Sequence, residues 1–300
     1  MPDFDLSITI CSWNTIHDLR ACLQSLREAR DEANFEVVVV DNASHDGSPD
    51  MVEKEFPEFR LLRQTVNLGF TGGHNLALRE RKGRHAALLN SDTVVHSGAI
   101  RELAGYLEAH PEAGVIGPKL LNPDGSLQFS ARRWPDPIAA IYRNTFIGKL
   151  FPNNSAARDY LMQEWDHNDT REVDWVSGAA MFLREDLIEK TGGLDNTLFM
   201  YCEDTDLCRR AWNLDYKVVY LHSAVITHAI GRSTDRVANK MIVRHHRSMF
   251  RYYKKHTVKD SFVLFRPGLL VFAAVGLTLR AGAALAKNLR DKIRWKIKNR

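Results

Sequence analysis

Phe35-Glu36-Val37-Val38-Val39-Val40-Asp41-Asn42-Ala43-Ser44-His45-Asp46-Gly47-Ser48 reads as a buried strand that stops on an aspartate and breaks into a turn-rich loop. Working outward, residues 6–11 form a short apolar strand, and Leu19, Cys22, Leu23 and Leu26 form a helical stripe between the two. Val52 and Phe56 mark a further helix, and residues 60–63 a third strand. Residues 72–82 read as helix and 85–89 as a fourth strand running into Asn90-Ser91-Asp92. A helix over 99–110 and a strand over 114–117 complete the rhythm. Alternating strands and helices predict a mostly parallel, doubly wound sheet with helices on both faces. In such sheets ligands sit beyond the carboxyl ends of the strands, so Asp41 and Asp92 should line one crevice.

The rhythm lapses over residues 122–172, where Pro123, Pro135, Pro137 and Pro152 with Trp134 and Trp165 read as an irregular wall. Order resumes at 173–183, followed by a helix over 203–212, strands over 217–221 and 224–227, and a long basic, aromatic helix over about 236–256. Residues 267–279 are thirteen apolar positions between Arg266 and Arg280, short of the ~20 that a spanning helix requires. With 281–286 they predict a helix lying in a membrane interface, the alternative being a helix docked on the protein's own core. Residues 287–300 carry seven cations against Asp291 alone, a surface suited to anionic phospholipid. The reading is therefore residues 1–256 as one α/β domain, with halves at about 1–121 and 173–256, and 257–300 as a basic, apolar, membrane-associating segment.

With 44% hydrophobic and 26% charged residues, 300 residues can bury a sizeable core. A net charge of +4 gives no case for nucleic acid. Cys11, Cys22, Cys202 and Cys208 form no CxxC pair and read as reduced thiols. Met1-Pro2-Asp3-Phe4-Asp5 enters the strand pattern with no signal-peptide character, so a cytoplasmic location is expected.

Chemistry-bearing residues fall in four places. Asp41 and Asp92 at strand ends suit a base N–H or a metal beside phosphates, or else simply initiate turns. Asn67-Leu68-Gly69-Phe70-Thr71-Gly72-Gly73-His74-Asn75 brings glycines to a strand–helix junction where backbone N–H groups could approach a phosphate, though it matches neither GxGxxG nor a Walker loop. Glu203, Asp204 and Asp206 crowd three carboxylates into four positions, for a metal, a cation or proton transfer, or to suit a helix N-terminus. His228 follows a strand and could offer a neutral imidazole to a metal. Hydrolase triads, nucleophile elbows and zinc spacings are missing from the sequence, as is the Gly-rich phosphate loop of nucleotidyl transferases.

Together Asp41-Asn42-Ala43-Ser44-His45-Asp46-Gly47-Ser48, Asn67-Leu68-Gly69-Phe70, Leu88-Leu89-Asn90-Ser91-Asp92, Ser177-Gly178-Ala179 and the Gly-Gly-Leu-Asp…Glu-Asp-Thr-Asp-Leu block resemble, in order, family 2 glycosyltransferases of the GT-A fold. The rhamnosyltransferase-like branch is the nearest likeness. The resemblance runs from about residue 8 to 256 and implies a Rossmann-like GT-A domain acting on a nucleotide-sugar. It implies that Asp41 contacts the nucleotide base, with Asn14, Asn67, Gly69, Asn75 and Ser91 around the donor. Asn90-Ser91-Asp92 stands where the family has its DxD motif, so Asp92, joined by His228, would hold Mg²⁺ or Mn²⁺. Asp204 would be the catalytic base, with Glu203 as the alternative and Asp206 as support. The processive Gln-x-x-Arg-Trp block is replaced by His245-His246-Arg247-Ser248-Met249-Phe250-Arg251-Tyr252-Tyr253, which implies single-sugar addition. Expected partners are a nucleotide-sugar (dTDP-rhamnose before a UDP-sugar), a polyprenyl-diphosphate-linked or other glycan acceptor, and the anionic inner face of the cell membrane. A catalytically silent nucleotide-sugar or lipid-surface binding protein on this fold is the competing expectation.

Overall fold

The computed structural model describes residues 2–135, 155–229, 238–259 and 263–298. The chain packs as two units, Met1–Asn196 with Glu203–Ser233, and Thr197–Cys202 with Thr234–Arg300.

The first unit runs β1 (Phe4–Ser12), α1 (Ile16–Glu28), β2 (Phe35–Asp41), α2 (Ser48–Glu55), β3 (Arg60–Arg63), α3 (Gly69–Glu80), β4 (Gly83–Asn90), β5 (Thr93–Val95), α4 (Ala99–Ala109) and β6 (Ala113–Leu121). After these come β7 (Leu127–Gln128), β8 (Ala131–Arg132), α5 (Ser155–Tyr160), β9 (Arg171–Glu172), β10 (Trp175–Val176), β11 (Ala180–Leu183), α6 (Glu185–Thr191), α7 (Glu203–Trp212) and β12 (Lys217–His228). The sheet order is β3-β2-β1-β4-β11-β6-β12-β5. β3, β2, β1 and β4 are parallel, as are β6 and β12. β11 enters between β4 and β6 antiparallel to both, a reversal that apolar runs do not encode.

All seven residues of β2 are buried, as its valine run predicts. Val37 and Val39 join the core beneath α1, α2 and α4, whereas Val38 and Val40 pack against Ala77 of α3 on the opposite face. A period of two thus divides one strand between two helical layers. Leu19, Cys22, Leu23 and Leu26 of α1 are all buried in the first core, as their spacing requires. On the other face, Leu78, Leu187 and Leu207 pack α3, α6 and α7 with Trp165 and Trp175, so these tryptophans are core.

Three sequence expectations shift in detail. The helix expected from residue 72 begins at Gly69, and strands expected over 217–221 and 224–227 are one strand with a register shift between Leu221 and Val225. The irregular segment 122–172 contributes β7, β8, α5 and β9, while Pro137, Tyr142 and Pro152 lie outside the described residues.

In the second unit, α8 (Ala238–Tyr253) continues into a π-helical turn, Lys254–Val258, and α9 spans Arg266–Lys298. The sequence boundary was set at 256, but by packing the chain divides at 233/234, because α8 packs on α9 and on the 197–202 strap. Ser248 Oγ donates to Met200 O at 2.9 Å, and the Arg244 guanidinium lies over the Phe199 ring. Counting apolar residues only to Arg280 understates α9. That arginine is the single charge between 267 and 286, and Val263–Arg290 is long and apolar enough to cross a membrane by length and composition.

Candidate active site

At the carboxyl ends of β1 and β2, Asp41 is buried, and its Oδ2 accepts the Ser44 N–H at 3.1 Å. Its Oδ1 is buried with no partner among the described residues, an acceptor left over at the end of the strand. Asn14, at φ +55°, bridges to the same loop: its N–H donates to Ser44 Oγ at 2.9 Å, and its Oδ1 accepts the His45 N–H at 2.8 Å. Asn42 ties this loop to the next. Its Nδ2 donates to Gly69 O at 3.1 Å, and its Oδ1 accepts the Leu68 N–H at 3.3 Å. Burial, reinforced by Asp41, pushes the neighbouring Cys11 thiol up to about 12, so it is neutral.

The glycine-bearing loop is braced from within. Gly69, at φ +77°, donates its N–H to Asn67 Oδ1 at 2.8 Å, which holds the loop. A Cβ on Gly73 would lie 2.4 Å from Cys11 Sγ, so that glycine lets α3 approach β1. Asn75 is buried and turned the other way. Its Oδ1 accepts the Leu194 N–H, while Nδ2 donates to Leu194 O and Asn196 Oδ1, each at 2.8 Å. Those bonds make it a strut for the Gly192-Gly193-Leu194-Asp195 turn.

At the end of β4, Ser91 Oγ bonds Thr15 Oγ1 at 3.0 Å, and that hydroxyl bonds Ser12 Oγ at 2.9 Å. Asp92 Oδ1 lies 3.3 Å from His228 Nε2, with both side chains about nine-tenths buried. His228 reaches this position because β5 and β12 pair Thr93 with His228. Gln128 fixes the ring. Its Nε2 donates to Asn122 Oδ1 at 2.9 Å and His228 O at 3.3 Å, which leaves Oε1 to accept from His228 Nδ1 at 2.8 Å. Nδ1 therefore carries a proton, and Nε2 faces the Asp92 carboxylate. A carboxylate oxygen beside an oriented imidazole nitrogen is a donor pair that suits a divalent metal. Among the described residues no group of three or more His, Cys, Asp or Glu side chains could hold a metal, which leaves the other coordination positions to phosphate and water.

The acidic block opens α7, immediately after Tyr201 (φ +71°) and Cys202 (φ +65°), two consecutive left-handed non-glycine residues of the kind that gather at functional sites. Its three carboxylates differ sharply. Asp206 is fully buried and receives Arg210 Nε at 2.8 Å, while the same guanidinium donates to Gly193 O and Thr191 O. Burial, then Asp204 and Asp206, push the Glu203 carboxyl well above the usual range, and its Oε2 has no partner among the described residues. Asp204 is half-buried. Its Oδ2 accepts the Gly178 N–H at 3.1 Å, and its Oδ1 accepts Thr205 N–H at 2.7 Å. Gly178 is itself adjacent to Ala179, whose carbonyl accepts the Asn90 N–H at 2.9 Å, and Asn90 Nδ2 lies 3.2 Å from His228 Nε2. One short chain of bonds thus joins the ionisable Asp204 to the Asp92–His228 pair.

The profile of Glycosyl transferase family 2 matches residues 7–185. The chain belongs to this family. Over 231 residues it is 30% identical to N-acetylglucosaminyl-diphospho-decaprenol L-rhamnosyltransferase of Mycobacterium tuberculosis, covering 73% of this chain and 74% of that protein. The dTDP-rhamnosyl transferase RfbF of Shigella flexneri is 23% identical over 287 residues, 93% of this chain and 87% of the relative. Among solved structures, the mannosyltransferase PcManGT of Pyrobaculum calidifontis, in complex with GDP-Man and Mn²⁺, shares the fold with a TM-score of 0.56 and 19% identity, covering 97% of this chain and 77% of that one.

In this family 2 glycosyltransferase, Asp41, Asp92 and His228 stand at the carboxyl ends of β2, β4 and β12, Asp204 is bonded to Gly178 before β11, and Asn75 braces the Leu194 turn. Sequence reasoning missed Gln128 and Asn42. Gln128 had no signal, because a two-residue strand shows no period. Asn42 stood inside a quoted motif but reads there as a turn residue.

Proposed function

We propose that this glycosyltransferase is inverting and divalent-metal-dependent, and adds a single L-rhamnose from dTDP-rhamnose to a polyprenyl-diphosphate-linked saccharide at the inner membrane face. The likeness to an N-acetylglucosaminyl-diphospho-decaprenol L-rhamnosyltransferase and to a dTDP-rhamnosyl transferase supports the substrate choice. The observation that carries the chemistry is the linkage of one accessible carboxylate, Asp204, through Gly178, Ala179 and Asn90 to the Asp92–His228 pair.

Asp41 Oδ1 would accept a base N–H, fixing the nucleoside at the end of β2. Asp92 and His228 would hold Mg²⁺ or Mn²⁺, with Gln128 keeping the His228 lone pair directed at the ion. Such an ion, when bound, neutralises charge on the leaving diphosphate. Asp204 takes the proton of the acceptor hydroxyl as its oxygen bonds the anomeric carbon and the sugar–phosphate bond breaks on the opposite face, which inverts the anomeric centre. Glu203, held neutral, is a poorer base.

A thermal-shift series of nucleotide-sugars with and without Mg²⁺ or Mn²⁺ tests the donor assignment. dTDP-rhamnose should raise Tm most, and only with metal. A larger shift from a UDP-sugar, or an equal shift without metal, would contradict the assignment.

A further inference from the structure

Arg251, Lys254, Lys255 and Lys259 recur at helical spacing, so they share one face where α8 loosens into its π-helical turn. That face lines a cavity of about 590 Å³, which Arg266 also borders. Five cations surround this one space with no carboxylate among its described lining residues. Like charges so placed repel, and an anion relieves the repulsion. Arg251 donates to Thr197 O and Arg266 to Lys259 O at 2.6 Å, which pins both guanidinium groups to the backbone. Arg266 is also the first residue of the 33-residue α9, whose N-terminal end favours anions.

The neighbouring surface selects the anion. Val258 and Leu270 give the cavity an apolar side, and α9 continues from it with Val271, Phe272, Val275 and Leu279 between 54% and 70% exposed. A free inorganic anion requires the cations but gives no reason for exposed hydrocarbon beside them. A membrane phospholipid offers a phosphate and acyl chains in that same arrangement. We infer that this cavity seats the phosphate headgroup of an anionic phospholipid, with α9 meeting the acyl region. The site is built from residues other than those of the cationic tail 287–300.

The full-length protein, partitioned onto vesicles of phosphatidylcholine alone or mixed with phosphatidylglycerol, tests this. Lys254→Gln/Lys255→Gln/Lys259→Gln should cut partitioning onto phosphatidylglycerol vesicles roughly a hundredfold, and the matching Lys→Arg triple should restore it. Lys292→Gln/Lys296→Gln/Lys298→Gln should cost much less. Transfer to a soluble acceptor should be unchanged in the cavity variants, which separates this site from catalysis. Equal loss from both Gln triples would make the effect diffuse charge and overturn the site, as would equal binding to phosphatidylcholine alone. Inorganic phosphate that displaced the protein from vesicles at concentrations matching the lipid phosphate would assign the cavity to a soluble anion instead. Should the Gln triple misfold, the Arg triple and the phosphate competition still decide.

Discussion

At the residue scale, the acidic block shows how three neighbouring carboxylates acquire three roles. Asp206 is neutralised by Arg210, Glu203 is held protonated by burial beside two acids, and Asp204 alone is half-open. Because the folded state holds the Glu203 proton more tightly than the unfolded chain, stability falls as pH rises above the carboxyl's ordinary value of 4.5 toward its raised folded value. Glu203→Gln mimics the protonated acid, so Tm should lose that decline while activity falls far less than the roughly 10²–10⁴-fold cost of losing a general base. A decline in Tm with the wild-type profile, or a general-base-sized loss of activity, would return Glu203 to the catalytic role. Asp41, Asp92 and His228 were legible from strand ends and spacing, because ligand sites of doubly wound sheets lie there. Which carboxylate stays half-open was not legible, because burial comes from tertiary packing.

At the element scale, α3 does two jobs that its glycine-rich start hid. Gly73 lets it approach β1, and Asn75 holds the turn before the acidic block. Gly73→Ala should therefore cost about 1–3 kcal/mol from overpacking against Cys11. Gly105→Ala, on the exposed side of α4 with nothing within 4 Å of the new Cβ, should instead gain about 0.5–1 kcal/mol. Denaturant titration of both variants checks the pair, and equal effects would remove the packing argument. Asn75→Ala strands the buried Leu194 N–H and C=O and should cost about 1–3 kcal/mol per group, read as a lower Tm; an unchanged Tm would remove its role as a strut. The valine run and the helical stripes declared the parallel core from the chain alone. The antiparallel entry of β11 and the continuity of β12 through its bulge were hidden, because pairing direction and register shifts leave no mark on a hydrophobic pattern.

At the scale of the whole molecule, an α/β unit carries the residues proposed for transfer, and a helical unit carries a cationic cavity with an exposed apolar helix. The fold class and family were readable because strands and helices alternate and five motifs stand in order along the chain. The extent of α9 was not, because one arginine interrupts an otherwise continuous apolar helix. In the proposed reaction sugar transfer depends on Asp204. The most direct measurement follows radiolabelled rhamnose from dTDP-rhamnose to a polyprenyl-diphosphate acceptor with Mg²⁺, comparing wild type with Asp204→Asn. The variant should lose transfer roughly 10²–10⁴-fold or more, with its thermal shift by donor and metal retained. Transfer by Asp204→Asn at the wild-type rate would contradict it.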